Sequence, residues 1–100
     1  MENKMQIPEQ IEFMSQSWSI RYAEPRELTE CVGQCDPRTN TILLDPSLPE
    51  SVMLQTLTHE LMHLLEMTLN QCLTEQQVDT MASGLVHLLK ANPMLCELYR

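Results

Sequence analysis

The pentapeptide HELMH, residues 59–63, holds the side chains with the clearest chemical potential in this sequence. Residues four apart on a helix are surface neighbours, so His59 and His63 can both reach one tetrahedral zinc ion. Glu60 is rotated by one residue step, which places its carboxylate beside such an ion, where it can accept a proton from water. The spacing predicts a zinc site with Glu60 as general base. The simpler interpretation is a pair of solvated histidines on a helix surface.

The segment around the motif has the pattern of an amphipathic helix. Ser47 to Glu50 has the S-x-x-E form of a capping box, which predicts a helix over about residues 48–69. At 100° per residue the two histidines lie about 40° apart, away from the broad leucine-rich side of this helix. We therefore expect the imidazoles to be available for a ligand rather than packed in the main apolar stripe.

A second helix is predicted over about residues 75–91. Thr74 to Gln77 has the T-x-x-Q form of a capping box, and Asn92-Pro93 is typical of a helix end. A short link around residues 70–73 would join the two helices as a hairpin. His87 lies opposite the apolar stripe of the second helix, so it is not expected to bind a metal ion.

The N-terminal half consists of short β-type runs separated by turn residues. The runs IEFM, SWSIRY, CVGQC and TILL predict a small antiparallel sheet over about residues 11–44. Asp36, Pro37 and Asn40 supply turn chemistry between the last two runs, which favours a hairpin there. The sequence therefore predicts one α+β domain over residues 1–100, with the sheet packed on the helix hairpin.

A catalytic zinc needs a third protein ligand and an open position for water. Glu66 shares the histidine face, but it lies about 10 Å along the helix axis from His59, too far for an ion held between the histidines. Glu75 opens the second helix, where an acidic residue is favoured whatever its function. Asp79 is one turn deeper and comes level with His63 in the hairpin. We expect Asp79 as the third ligand, with Glu75 as the alternative, and a site with neither stays open.

Composition limits the classes of function. Hydrophobic residues make up 43% of the 100 residues, which predicts a folded domain, and the net charge of −8 with six Lys and Arg residues argues against direct binding of nucleic acid. No apolar run has the roughly 20 residues of a membrane span. Four cysteines without an evident signal peptide favour a reducing, cytoplasmic setting, with neither disulfides nor a second zinc expected.

The stretches GQCDPRTNTILLD, TLTHELMH and LTEQQVDTMASGLVHLLKANP together resemble minimal zincin-type proteins of phages and prophages. These are distantly similar to the ImmA/IrrE-type and SprT-like metallopeptidases. The resemblance covers about residues 33–93, and its most specific part is His59, Glu60 and His63. It implies a sheet packed on a helix hairpin, one zinc ion and proteolysis of a cytoplasmic protein.

Two functions follow as hypotheses. The first is a zinc metallopeptidase in which Glu60 activates water and the TILL strand offers its edge to an extended peptide. The second is a non-catalytic, zinc-stabilised phage or prophage protein that binds a host or repressor protein. An acidic mimic of nucleic acid is a weaker third interpretation, motivated by the charge alone. The sequence does not indicate an oligomeric state.

Overall fold

The computed structural model describes residues 6–100, which form an α+β fold with the sheet in the N-terminal half and two main helices after it. The strands are β1 Gln10–Phe13, β2 Gln16–Tyr22, β3 Gly33–Asp36 and β4 Thr41–Leu44. The helices are α1 Glu50–Thr68, α2 Glu75–Ala91 and the short α3 Pro93–Glu97. The predicted boundaries of the sheet and of the two long helices agree with these to within two residues, whereas α3 was not predicted.

The sheet is mixed rather than antiparallel, which corrects the prediction. Its strand order is β1-β2-β4-β3. The β1–β2 and β3–β4 pairs are antiparallel, as expected for hairpins, but β2 and β4 run parallel, with Ile20 opposite Ile42. The segment of residues 23–32 carries the chain past one strand position, and β4 then returns into the gap between β2 and β3. The order of the strands along the sequence does not distinguish this insertion from a simple meander.

β3 is an edge strand of the sheet, whereas β4 is not. Because β4 is hydrogen-bonded on both sides, the TILL strand cannot offer an edge to a peptide, and that prediction is wrong. β3 pairs with β4 on one side, and among the described residues no strand pairs with its other side. Residues 33–36 therefore form one of the two sheet edges among the described residues, and β1 forms the other.

The main core lies between one face of the sheet and α1. Trp18 and Ile20 of β2 alternate with exposed residues, and every residue from Ile42 to Leu44 of the central strand β4 is buried. The helix contributes three residues, spaced four and seven positions apart. The buried cluster comprises Trp18, Ile20, Ile42, Leu44, Met53, Leu57 and Leu64. A smaller cluster of Met62, Val78 and Ala82 joins α1 to α2. These two clusters fix α1 between the sheet and α2.

The two predicted capping boxes have different outcomes. Thr74 caps α2 as predicted, since its hydroxyl accepts from the backbone N–H of Gln77 and the Gln77 side chain accepts from the N–H of Thr74. At α1 the prediction is wrong. The Ser47 hydroxyl donates to Oδ1 of Asp45 at 2.7 Å, and Pro49 occupies the N-cap position without a side-chain cap.

The loop between α1 and α2 closes the helix hairpin. Asn70 adopts a positive φ of 57°, a conformation that Asn tolerates better than most residues and that commonly ends a helix. The next residue, Gln71, donates its backbone N–H to the carbonyl of Glu66 at 2.9 Å.

Within residues 6–100, none of the helices combines the length and the hydropathy that a membrane-crossing segment requires.

Candidate metal centre

His59 and His63 lie one turn apart on α1, and their imidazoles face each other. Their Nε2 atoms are 3.2 Å apart, and the two ring centroids are separated by 4.8 Å in an edge-to-face arrangement. Both side chains are partly buried, with exposed fractions of 17% and 23%. The histidines are therefore not freely solvated, which disfavours the simpler interpretation of the motif.

Glu75, the first residue of α2, reaches both imidazoles. Its Oε1 lies 2.8 Å from Nε2 of His63, and its Oε2 lies 3.2 Å from Nε2 of His59. The ligand atoms of these three residues lie within 4.8 Å of one another and form a group able to hold a metal ion. Glu75 thus stands where the sequence analysis places Asp79 by preference.

Asp79 lies at a different edge of the His59 ring. Its Oδ1 is 2.7 Å from Nδ1 of His59, while its side chain remains 70% exposed. Asp79 is one turn further along α2 than Glu75 and has a shorter side chain, so its carboxylate meets the Nδ1 edge of the imidazole. The structure brings Glu75, not Asp79, to the Nε2 atoms.

Glu66 contacts His63 in the same way that Asp79 contacts His59. Its Oε1 lies 2.9 Å from Nδ1 of His63, and its Oε2 accepts the backbone N–H of Leu73 at 2.7 Å. Its side chain is 14% exposed. The hydrogen bond from Leu73, and then that from His63, lowers the pKa of Glu66, so this carboxylate is ionised. Glu66 is not among the three residues of the candidate group, but it contacts one of them, His63.

These contacts favour the Nδ1–H tautomer of each imidazole when the ring is neutral. Carboxylate oxygens accept hydrogen bonds, so Nδ1 of His59 then donates to Asp79 and Nδ1 of His63 donates to Glu66. In the neutral rings the Nε2 lone pairs then point at each other and at the Glu75 carboxylate. Three groups of acceptor atoms converge in this way, and a cation among them would satisfy all three.

The separations of these atoms fit a tetrahedral zinc site. Ligands held about 2.0–2.1 Å from zinc are about 3.3 Å apart in a tetrahedral arrangement. The Nε2 atoms are 3.2 Å apart, and Glu75 oxygens lie 2.8 and 3.2 Å from them. Two imidazoles and one carboxylate are a ligand set typical of catalytic zinc, and Nδ1 atoms bonded to carboxylates are typical of its surroundings.

The charges around His63 favour a positive charge at this place. Burial disfavours the imidazolium, but the hydrogen bond to Glu66 and the nearby Glu75 and Glu60 carboxylates outweigh it and raise the pKa of His63. The same negative surroundings that stabilise a proton also stabilise a metal cation. A metal ion binding here would compete with protons for the Nε2 lone pairs.

Glu60 lies deeper in the fold than the groups around it. The residue is 7% exposed, and burial raises the pKa of its carboxyl group, although the neighbouring histidines partly oppose the shift. A raised pKa is the property required of a carboxylate that accepts a proton near neutral pH. Glu60 lines the same cleft as the candidate group of three residues but is not part of it, and its role as general base stays a prediction.

Gly33 of β3 packs directly against Glu60. A Cβ atom at this position would stand 3.1 Å from Oε2 of Glu60, which is a tight contact, and 2.8 Å from Cγ2 of Thr56, which is closer than real Cβ atoms approach. The absence of a side chain at residue 33 therefore lets the free edge of the sheet lie beside the carboxylate. The sequence does not indicate this contact, because residues 33 and 60 become neighbours only through the packing of β3 on α1.

An open cleft of about 460 Å³ surrounds the site. One wall consists of residues 31–35, including the edge strand β3, and the other consists of residues from α1 and the first turns of α2.

Cys35 lines this cleft, but burial, followed by the Glu60 and Asp36 charges, raises the pKa of its thiol to about 12. Cys35 is therefore a neutral lining residue. His87 is exposed on α2 and does not line the cleft, in agreement with its exclusion as a ligand.

Comparison with known proteins gives no relative: no family model matches the sequence, and neither a curated protein nor a solved structure shows significant similarity to the chain.

Proposed function

We propose that this protein is a zinc-dependent metallopeptidase. The observation that carries the proposal is the convergence of three acceptor groups, Nε2 of His59, Nε2 of His63 and the Glu75 carboxylate, within 4.8 Å of one another. Such an arrangement is electrostatically unfavourable unless a cation or a proton lies among the atoms. The proposal revises the ligand set from His59, His63 and Asp79 to His59, His63 and Glu75, and it agrees with the resemblance of the HELMH region to zincins.

Bound zinc would polarise a carbonyl group and lower the pKa of water at the site. Glu60 would accept the proton of the attacking water and pass it to the leaving amine, which its buried position and raised pKa favour. Asp79 and Glu66 would hold the two imidazoles with Nε2 turned inward. Each step assigned to the protein is thus a proton transfer or an orientation by a side chain in the cleft.

An extended peptide is the substrate that best fits the cleft. The edge strand β3 lines it with residues 33–35, and an unpaired strand edge binds extended chains through backbone hydrogen bonds. Because Gly33 lies against Glu60, a peptide paired with β3 would pass next to the general base. A protein or peptide substrate therefore follows from the position of the site at a sheet edge.

The test is digestion of a peptide library by wild type, by Glu60→Gln and by Glu50→Gln, with the zinc content of each measured in parallel. Gln cannot accept the proton of water, so Glu60→Gln should retain zinc and lose on the order of 10² to 10⁴ in rate. Glu50 is an exposed residue at the start of the same helix and serves as the control. Equal cleavage by wild type and Glu60→Gln would contradict the assigned base.

A second candidate function is binding of a protein partner without catalysis, with zinc as a stabilising ion. It is favoured by apolar side chains exposed near the end of the chain, where Leu88, Met94 and Leu98 are 51%, 82% and 76% exposed. A zinc-loaded wild type that cleaves no member of the library would support this function over the peptidase. The partner would then be a host or repressor protein if the chain belongs to a phage or prophage.

A further inference from the structure

Glu66 makes three hydrogen bonds near the end of α1, and two of them join α1 to the loop before α2. Its carboxylate accepts from Nδ1 of His63 at 2.9 Å and from the backbone N–H of Leu73 at 2.7 Å. Its backbone carbonyl accepts from the N–H of Gln71 at 2.9 Å. Glu66, near the end of α1, therefore bonds to one imidazole and to two backbone N–H groups of the loop.

The loop residue that Glu66 holds lies just before the third ligand. Leu73 packs its side chain against the cluster of Met62, Val78 and Ala82, and it is followed directly by Thr74, the N-cap of α2. Glu75 is the next residue. The hydrogen bond from Leu73 to Glu66 is thus two residues from the carboxylate that faces the histidines, at the point where the direction of α2 is set.

Glu66 and Glu75 contact the same imidazole, that of His63. The Nδ1 edge of its ring bonds to Glu66, and its Nε2 atom lies 2.8 Å from Oε1 of Glu75. Glu66 also bonds to Leu73, which lies two residues before Glu75. Glu66 is therefore linked to His63 both directly and through the loop that carries Glu75. A shift of the loop would move Glu75 away from the ring that Glu66 itself orients.

We propose that Glu66 is a positioning residue that sets the distance between Glu75 and His63, so that the three-ligand site forms only when the interhelical loop is held in place. This inference rests on the metal site of the proposed function, though not on peptide hydrolysis. It gives Glu66 a part that Asp79 does not have, because Asp79 accepts a hydrogen bond from His59 without holding the loop.

Amide substitution distinguishes the two carboxylates. The side-chain oxygen of an Asn at residue 79 can still accept the Nδ1–H of His59. A Gln at residue 66 has one acceptor oxygen and one NH₂ group, so it can serve either His63 or Leu73 but not both. Glu66→Gln should therefore weaken zinc binding about 10- to 100-fold, and Asp79→Asn should weaken it only a few-fold.

The decisive experiment is a double-mutant cycle on zinc affinity, measured by competition with a chelator. It compares wild type, Glu66→Gln, Glu75→Gln and the double variant. If Glu66 acts by placing Glu75, its substitution should cost much less affinity once Glu75 is already replaced. Equal losses in the two backgrounds would overturn the proposal.

A readout on the metal-free protein accompanies the cycle. Amide hydrogen exchange at Leu73 should become at least about 10-fold faster in Glu66→Ala, which removes both acceptor oxygens, and stay unchanged in Asp79→Asn, with the amides of β4 protected in both as evidence of an intact fold. Unchanged exchange at Leu73 in Glu66→Ala would overturn the proposal. If a Glu66 variant fails to fold, Glu66→Asp, which keeps the charge but shortens the reach, takes its place in that measurement.

The results separate this inference from the peptidase proposal. A non-additive cycle in a protein that cleaves no peptide supports the role of Glu66 and contradicts the peptidase. An additive cycle in a protein that does cleave peptides contradicts the role of Glu66 alone. A wild type without zinc affinity overturns both.

Discussion

Oε1 of Glu75 lies 2.8 Å from Nε2 of His63, although the two residues belong to different helices and are separated by a loop. Neither atom has a hydrogen to share when the imidazole donates its Nδ1–H to Glu66. The pair therefore depends on a cation or a proton between its members. The same relationship recurs between Glu75 and Nε2 of His59 at 3.2 Å, which makes this carboxylate the centre of the proposed site.

Replacement of His63 should empty the metal site. His63→Ala removes one of two Nε2 ligands and the acceptor nearest to Glu75, so zinc should be lost on gel filtration. His87→Ala is the matched control, because His87 is exposed on α2 and does not line the cleft. Elemental analysis of the two variants gives the result. One zinc per chain in His63→Ala would contradict the ligand assignment.

Glu75→Gln should reduce zinc affinity more than Asp79→Asn. The carboxylate of Glu75 faces both Nε2 atoms, whereas that of Asp79 bonds to Nδ1 of His59, a contact that an amide oxygen can replace. Isothermal titration of the purified, metal-free variants with zinc measures the difference. A larger loss in Asp79→Asn would return Asp79 to the position of third ligand.

Gly33→Ala should destabilise the metal-free protein by about 1–3 kcal/mol, the usual cost of overpacking. The new methyl group would stand 2.8 Å from Cγ2 of Thr56, a buried and β-branched side chain that has little room to move. Gly84→Ala is the control, since a Cβ at that helical position meets nothing within 4 Å and should add about 0.5–1 kcal/mol. Urea unfolding of both variants provides the comparison, and equal midpoints would disprove the close packing at Gly33.

The ion pair between Arg21 and Glu27 predicts a pH dependence of stability. Two hydrogen bonds from the Arg21 guanidinium, at 2.8 and 2.7 Å, and one from the N–H of Glu24 lower the pKa of Glu27 to about 2. Because this pKa lies below its ordinary value of 4.5, the stabilisation is fully present above pH 4.5 and is lost as the pH falls towards 2.

Thermal unfolding of wild type and Glu27→Gln across this range tests the effect. The melting temperature of the variant should be the lower of the two at pH 6, and the gap should close as the pH approaches 2. Glu50→Gln serves as the exposed control. The gap should be small and should shrink with added salt, because the pair is solvent-accessible. A gap that widens on acidification would have the wrong sign for this pair.

Local patterns in the sequence predict much of the fold. The four β-type runs became four strands, and the T-x-x-Q box at Thr74 places the start of α2 correctly. The S-x-x-E box at Ser47 fails because α1 begins two residues later than the box requires, with Pro49 at the N-cap, and the Ser47 hydroxyl donates to Asp45. The parallel pairing of β2 with β4 was also missed, since the insertion of a later strand between two others depends on packing rather than on any local signal.

The part of the site on a single helix was predictable from the sequence. The part that depends on the alignment of two helices was not. His59, Glu60 and His63 share one helix, so their spacing alone places them together. The choice between Glu75 and Asp79 depends on the angle of the hairpin and on side-chain length, and a shift of one helical turn exchanges their places. The contact of Gly33 with Glu60 could not be predicted from the sequence, because it requires the tertiary packing of an edge strand on α1.

The ligands and the general base depend on parts of the fold that differ in sequence separation. His59, His63 and Glu75 come from two consecutive helices joined by a short loop, whereas the surroundings of Glu60 require Gly33 and a sheet in which Ser19 pairs with Thr41. Contacts that are close along the chain form faster during folding than distant ones. Metal capture by the helix hairpin should thus precede completion of the sheet in a refolding chain. Under the proposed function, a newly made molecule would acquire zinc before it acquires hydrolytic competence.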